Sequence, residues 1–208
     1  MILERYHPQL ILYDVEPSFD INVYAEDRNN KRYISRLKPY YRHKAIGDII
    51  KEVSTEEWYK VHSGMMRYNM SIITMFTEGL RKSKEDIKGF SPMQGVYDRE
   101  PKQKVVKNEL DPFKLKYFEA LIALAKSRRI PIVVLASPKY GMTSSCSLQP
   151  VIDICQQNGV EFMDYYADKE FMQHKEWFIE PMHLNTEGAR HFSAKIAQCL
   201  CELLNASD

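Results

Sequence analysis

A glutamate stands three residues ahead of a histidine in Glu180-Pro181-Met182-His183, just before a run that reads as the last helix of the chain. A carboxylate held against one imidazole nitrogen fixes the ring's tautomer and leaves the other nitrogen free as a general base. Pro181 disfavours helical backbone at Glu180, so the spacing predicts a turn that projects both side chains toward a common point. Asn185 is then placed to cap the following helix. The plain alternative for the same residues is an exposed glutamate and a histidine packed beside a helix start.

Other runs invite chemistry less strongly. Ser137 ends an apolar strand before Pro138, and Ser144, Ser145 and Ser147 cluster in the loop that follows. That loop falls at the carboxyl ends of strands, where open α/β sheets bind ligands. No Gly-x-Ser-x-Gly elbow surrounds any of these serines, so turn formation is the expected role. In His62-Ser63-Gly64-Met65-Met66-Arg67-Tyr68-Asn69 the histidine and serine are adjacent, and adjacent helical residues do not face each other. Asn69 stays a candidate polar donor for a site. Met65, Met66, Met70 and Met75 suit a core more than an acyl groove. Residues 31–44 interleave six Lys/Arg with three tyrosines. Such a run suits a solvated helix face, an acidic saccharide or single-stranded nucleic acid, and the solvated face is preferred. Asp14, Glu16 and Asp20 fall near the sheet's carboxyl edge, and Glu16 is the one expected to border a site.

The elements that must position these residues are an α/β set. Leu10–Tyr13, Ile130–Leu135 and Val160–Met163 are apolar, β-branched and bounded by breakers, as buried parallel strands are. Helices are predicted over Asp111–Arg129 and Gln149–Gln157, the second stopped by Asn158-Gly159, and over about Asn185–Leu204. Ala189, Phe192, Ile196, Leu200 and Leu203 lie on one face of the last. Roughly residues 20–110 read as a mainly helical insertion, in which Ser54-Thr55-Glu56-Glu57 is a capping box opening a stretch through Arg81. Asp98–Lys107 is expected to be loop. Residues 1–7 read as the end of a helix feeding the first strand, so the chain is expected to lack the fold's N-terminal strand.

Composition sets the outer bounds. A chain of 208 residues, 44% hydrophobic and 27% charged, is expected to form one domain with a sizeable core. With 29 Lys+Arg against 28 Asp+Glu, no global field favours nucleic acid or an anionic membrane. No run approaches the roughly 18 apolar residues of a membrane span. Cys146, Cys155, Cys199 and Cys201 lack zinc-ligand spacing and are expected to be buried free thiols. Without a signal-peptide pattern at Met1–His7, the chain as written is expected in the cytoplasm; a truncated start would leave secreted, periplasmic or anchored locations open.

Glu180-Pro181-Met182-His183-Leu184-Asn185-Thr186-Glu187-Gly188-Ala189 resembles the C-terminal Asp-x-x-His-Leu-Asn-x-x-Gly block of the SGNH (GDSL) hydrolase superfamily. Asp164-Tyr165-Tyr166 follows the same order, and Pro8–Pro17 resembles the strand leading to that family's third block. The resemblance covers about residues 1–20 and 110–208. It implies a three-layer, flavodoxin-like parallel sheet flanked by helices. It also implies a serine that attacks an ester carbonyl, His183 taking its proton and Glu180 orienting His183. Glutamate replaces the usual aspartate at 180, and Asp14-Val15-Glu16-Pro17 replaces the third-block Gly-x-Asn. No Gly-x-Ser nucleophile block precedes the Leu10–Tyr13 strand, so the 208-residue polypeptide is expected to be inactive by itself. The expected function is an esterase or acyltransferase acting on acyl, including acetyl, esters of carbohydrate or on a small ester. The alternative is a non-catalytic glycan- or ligand-binding module on the same scaffold. No cofactor or metal and no nucleic-acid or membrane partner is expected; the oligomeric state is open.

Overall fold

The computed structural model describes residues 2–15, 37–64, 90–99 and 112–205. The chain divides into two compact units, one of residues 1–20 with 87–208 and one of residues 21–86.

The first unit is built on a parallel three-stranded sheet in the order β1-β2-β3. A short helix α1 (Ile2–Arg5) leads to β1 (Ile11–Asp14), and β2 (Ile132–Ala136) and β3 (Glu161–Asp164) follow. Ile11 pairs with Ile132 and Val133 with Glu161 in register. The strands start and stop one or two residues later than the apolar runs suggest. Ile130 and Pro131 are consumed by the approach, where Pro131 lends only its carbonyl, to Ile11 N–H. A proline has no N–H for a central ladder, which delays β2.

Every residue of β2 is buried, as befits a central strand covered on both faces. Ile132, Val134 and Ala136 face one layer, where Phe118, Ile122 and Ala125 meet Val151, Ile154 and Cys155. Those residues lie on α4 (Pro112–Ser127) and α5 (Gln149–Gln157). Val133, Leu135 and Met163 face the other layer, with Phe192, Ile196 and Leu200. These come from α7 (Thr186–Asn205), so Phe192, Ile196 and Leu200 of the expected apolar stripe dock on the sheet. The helix leading into β2, α4, and the one joining β2 to β3, α5, pack on one face, as like-handed crossovers stepping the same way along a sheet require. The chain then returns behind β3, and α7 covers the opposite face. The result is a mixed α/β unit with a helical layer on each side of the sheet.

Between β3 and α7 lie α6 (Lys169–Gln173), a 3-10 turn (Lys175–Trp177) and an antiparallel pair, β4 (Phe178–Glu180) and β5 (His183–Leu184). Asp168 caps α6 by accepting from Glu170 and Phe171 N–H.

In the second unit, a 3-10 turn (Lys38–Tyr40) precedes α2 (Lys44–Val53) and α3 (Thr55–His62). Ser54 ends the first and caps the second, its hydroxyl accepting from Glu57 N–H at 3.2 Å. Half of the capping box thus forms. The Glu57 side chain does not return to the cap but meets Lys38 and Lys60 instead. The helix is interrupted at Ser63, which is extended (ψ 119°), and Gly64 is helical again. Residues 65–81 lie outside the described set, as do Asp20 and residues 100–107.

The cysteines depart from expectation. Cys155 is buried as a free thiol, and burial pushes it up to about 11. Cys199 is only half-buried, accepting from the Tyr165 hydroxyl at 3.3 Å, and Cys201 is exposed. Two residues apart on a helix, these two side chains point in different directions, and only one reaches the sheet.

Candidate active site

Glu180 and His183 are cross-strand partners in the β4–β5 pair, with Pro181 and Met182 as the two-residue connection. Directly opposed residues on antiparallel strands hold their Cβ atoms about 5 Å apart. The hairpin therefore aims both side chains the same way, which is how a spacing of three brings them together without a helix. His183 Nδ1–H donates to Glu180 Oε1. That bond assigns the proton to Nδ1 and leaves the Nε2 lone pair available. Both side chains are half-exposed, at 55% for His183 and 56% for Glu180, so the pair stands at a surface a ligand can reach. A register shift between Phe178 and Glu180 re-aims the strand just ahead of the glutamate.

Two further segments hold this hairpin. Phe178 is fully buried, with Tyr140 packed on it at 5.4 Å between ring centroids. Tyr140 N–H donates to Pro181 O at 2.8 Å and Lys139 Nζ to Met182 O at 2.8 Å, so the loop after β2 grips both turn residues. Segment 90–99 crosses the other side: Tyr97 N–H donates to Phe178 O, and Thr186 N–H and Oγ1–H donate to Met93 O. Gly95, at φ 130°, sits against Ile179, and its backbone is one only glycine adopts easily. This extended segment had been expected within the helical insertion and its loop. Its residues carry no strand pattern of their own, and its bonds run to residues 81 to 93 positions away, which no local signal encodes.

Asn185 caps α7, its Oδ1 accepting from Glu187 N–H at 3.1 Å and Gly188 N–H at 3.0 Å. Its Nδ2 donates to Gly95 O and Glu176 O, tying the helix start to the strap and to the 3-10 turn.

The carboxyl ends of β1 and β2 carry a second polar pair. Ser137 donates both its hydroxyl and its N–H to the Asp14 carboxylate, the N–H at 3.1 Å. Ser137 is thus committed to Asp14 and not joined to His183. Glu16 and Asn69 lie outside the described residues, as do Met65, Met66, Met70 and Met75. Within residues 31–44, positions 37–44 form the 3-10 turn and the start of α2, with Tyr40 exposed and Arg42 Nε–H donating to the Tyr41 hydroxyl. His62 Nδ1 bonds Trp58 O, a contact within α3, and Ser63 lies beyond that helix.

Among the described residues, no group of three or more His, Cys, Asp or Glu side chains is arranged to hold a metal ion. Nor is any described helix long and apolar enough to cross a membrane. No family model, curated protein or solved structure matches this chain.

Proposed function

We propose that Glu180 and His183 are the acid–base half of an SGNH-type serine esterase or acyltransferase on a flavodoxin-like core. The observation that carries the reading is the Nδ1–H···Oε1 bond between them, made across a hairpin and open to solvent. In the reaction, Nε2 of His183 accepts the proton of a serine hydroxyl as that oxygen attacks an acyl ester carbonyl. It then delivers the proton to the leaving alkoxide, Glu180 stabilising the imidazolium between the two steps. Glutamate reaches the ring as aspartate does because the pair is cross-strand, where one added methylene is absorbed by the two facing side chains. The substrate class is an acyl, including acetyl, ester of a carbohydrate or a small alcohol.

The serine is not supplied by Ser137, whose hydroxyl is given to Asp14, and no Gly-x-Ser block precedes β1 in these 208 residues. That commitment of Ser137 favours the second reading, a ligand- or glycan-binding module on the same scaffold. The test is hydrolysis of short acyl esters by the polypeptide translated from the complete reading frame. Turnover that disappears in His183→Ala supports the hydrolase. A complete frame with no Gly-x-Ser block and no turnover overturns it in favour of the binding module, to be followed by glycan-binding measurements.

A further inference from the structure

We propose that Lys139 is a positioning residue for His183, holding the Pro181-Met182 turn so that Glu180 and His183 stay in bonding register; the proposal rests on His183 being the general base. Lys139 is 8% exposed, a rare degree of burial for lysine. Its backbone is anchored on both sides: its N–H donates to Tyr166 O at 3.1 Å, and its carbonyl accepts from Met142 N–H at 3.3 Å. Pro138, ahead of it, is fully buried and fixes the approach from β2.

From this rigid base the ammonium reaches Met182 O, the carbonyl directly before His183. A charged donor makes a shorter and stronger bond than a neutral one. The neighbouring Tyr140 N–H takes Pro181 O. Both carbonyls of a two-residue turn are thereby held by two consecutive residues of the β2 loop. The exposed Glu180–His183 bond has water as a competitor on its open side, so its geometry depends on what fixes the backbone beneath it. A displacement of about 1 Å in such a pair is enough to cost a hundredfold in rate.

The test reads the ring itself, in the 208-residue chain with 15N-labelled histidine, at about pH 8.5 where an ordinary imidazole is neutral. In the parent chain His183 is expected as the Nδ1–H tautomer. Glu180→Ala is expected to make Nε2–H the major form. Lys139→Met, which keeps the aliphatic stem and removes the donor, is expected to do the same while the signals of the other five histidines stay in place. Should Lys139→Met not fold, Lys139→Leu, which also lacks a donor, is read by the same signal. A nuclear Overhauser contact between Lys139 Hε and Met182 Hα is expected in the unsubstituted chain. An unchanged tautomer in either Lys139 variant, or no such contact, overturns the role of Lys139. An unchanged tautomer in Glu180→Ala instead overturns the general-base reading beneath it.

Discussion

The Asn185 side chain donates to two carbonyls, of Gly95 and Glu176, and accepts from two amides at the start of α7. As a cap alone, asparagine and aspartate are interchangeable, and alanine costs about 1 kcal/mol. The two donated bonds break that equivalence, because a carboxylate at this buried position would face two carbonyl oxygens. Asn185→Asp is therefore expected to lose at least as much stability as Asn185→Ala, roughly 2–3 kcal/mol by urea unfolding, since buried unsatisfied groups cost about 1–3 kcal/mol each. An Asp variant as stable as the parent chain would show that the cap is the whole of its role. At this scale the sequence was legible where one residue acts locally. Asn185 as cap and Glu180 with His183 as a pair follow from spacing. The donations from Asn185 to Gly95, and from Lys139 to Met182, do not.

Between elements, the contact of α7 with the 3-10 turn is set by Gly188. A Cβ there would run into Trp177 O and lie 2.8 Å from Trp177 Cβ. Two effects of opposite sign meet in Gly188→Ala: helix propensity favours alanine by about 1 kcal/mol. Overpacking against backbone costs about 3 kcal/mol or more, because a carbonyl cannot rotate away as a side-chain tip does. The clash wins, and the variant is expected to unfold at lower urea; a raised midpoint would mean that the turn yields freely. Trp177 itself is stacked between His174, at 3.9 Å and 15°, and His191, at 4.2 Å and 17°. Phe171 meets its edge. The strand preceding Glu180 is thus tied to α6 and α7 through one indole. Sequence periodicity located α4, α5 and α7 well, because each presents an apolar stripe to one sheet face. It missed the β4–β5 hairpin, whose strands are three and two residues long and stand only because the β2 loop and segment 90–99 hold them.

For the molecule as a whole, the chain holds two tryptophans, Trp58 in the unit of residues 21–86 and Trp177 in the sheet unit, so each unit has its own optical reporter. Among the described residues of the former unit, the buried Glu57 links stability to acidity. Burial raises its carboxyl, and this is outweighed by hydrogen bonds and charge from Lys38 and Lys60, which leave it below its ordinary 4.5. A depressed folded value means that the contribution to stability is present above about pH 4.5 and is lost as pH falls through the folded value. With Trp177→Phe as background, the urea midpoint reported by Trp58 is expected to fall on acidification. The further change Glu57→Gln should lower the midpoint at neutral pH and flatten its dependence on acid. An unchanged slope in Glu57→Gln would assign the effect to other carboxylates.

The sequence by itself determined the α/β class, the three parallel strands, the helices that cover them, and the carboxylate–histidine pair at the foot of the last helix. Each is written in local terms, as apolar periodicity, breakers, caps or a spacing of three. Only the tertiary structure decided that the pair sits on a hairpin, that residues 90–99 belong to the sheet unit, and that Lys139 donates to Met182 O and Asn185 to Gly95 O and Glu176 O. It also decided that Ser137 serves Asp14. These depend on which distant carbonyl lies within about 3 Å of a given donor. That is fixed by how the strands and helices stack, and the order of residues along the chain does not state it.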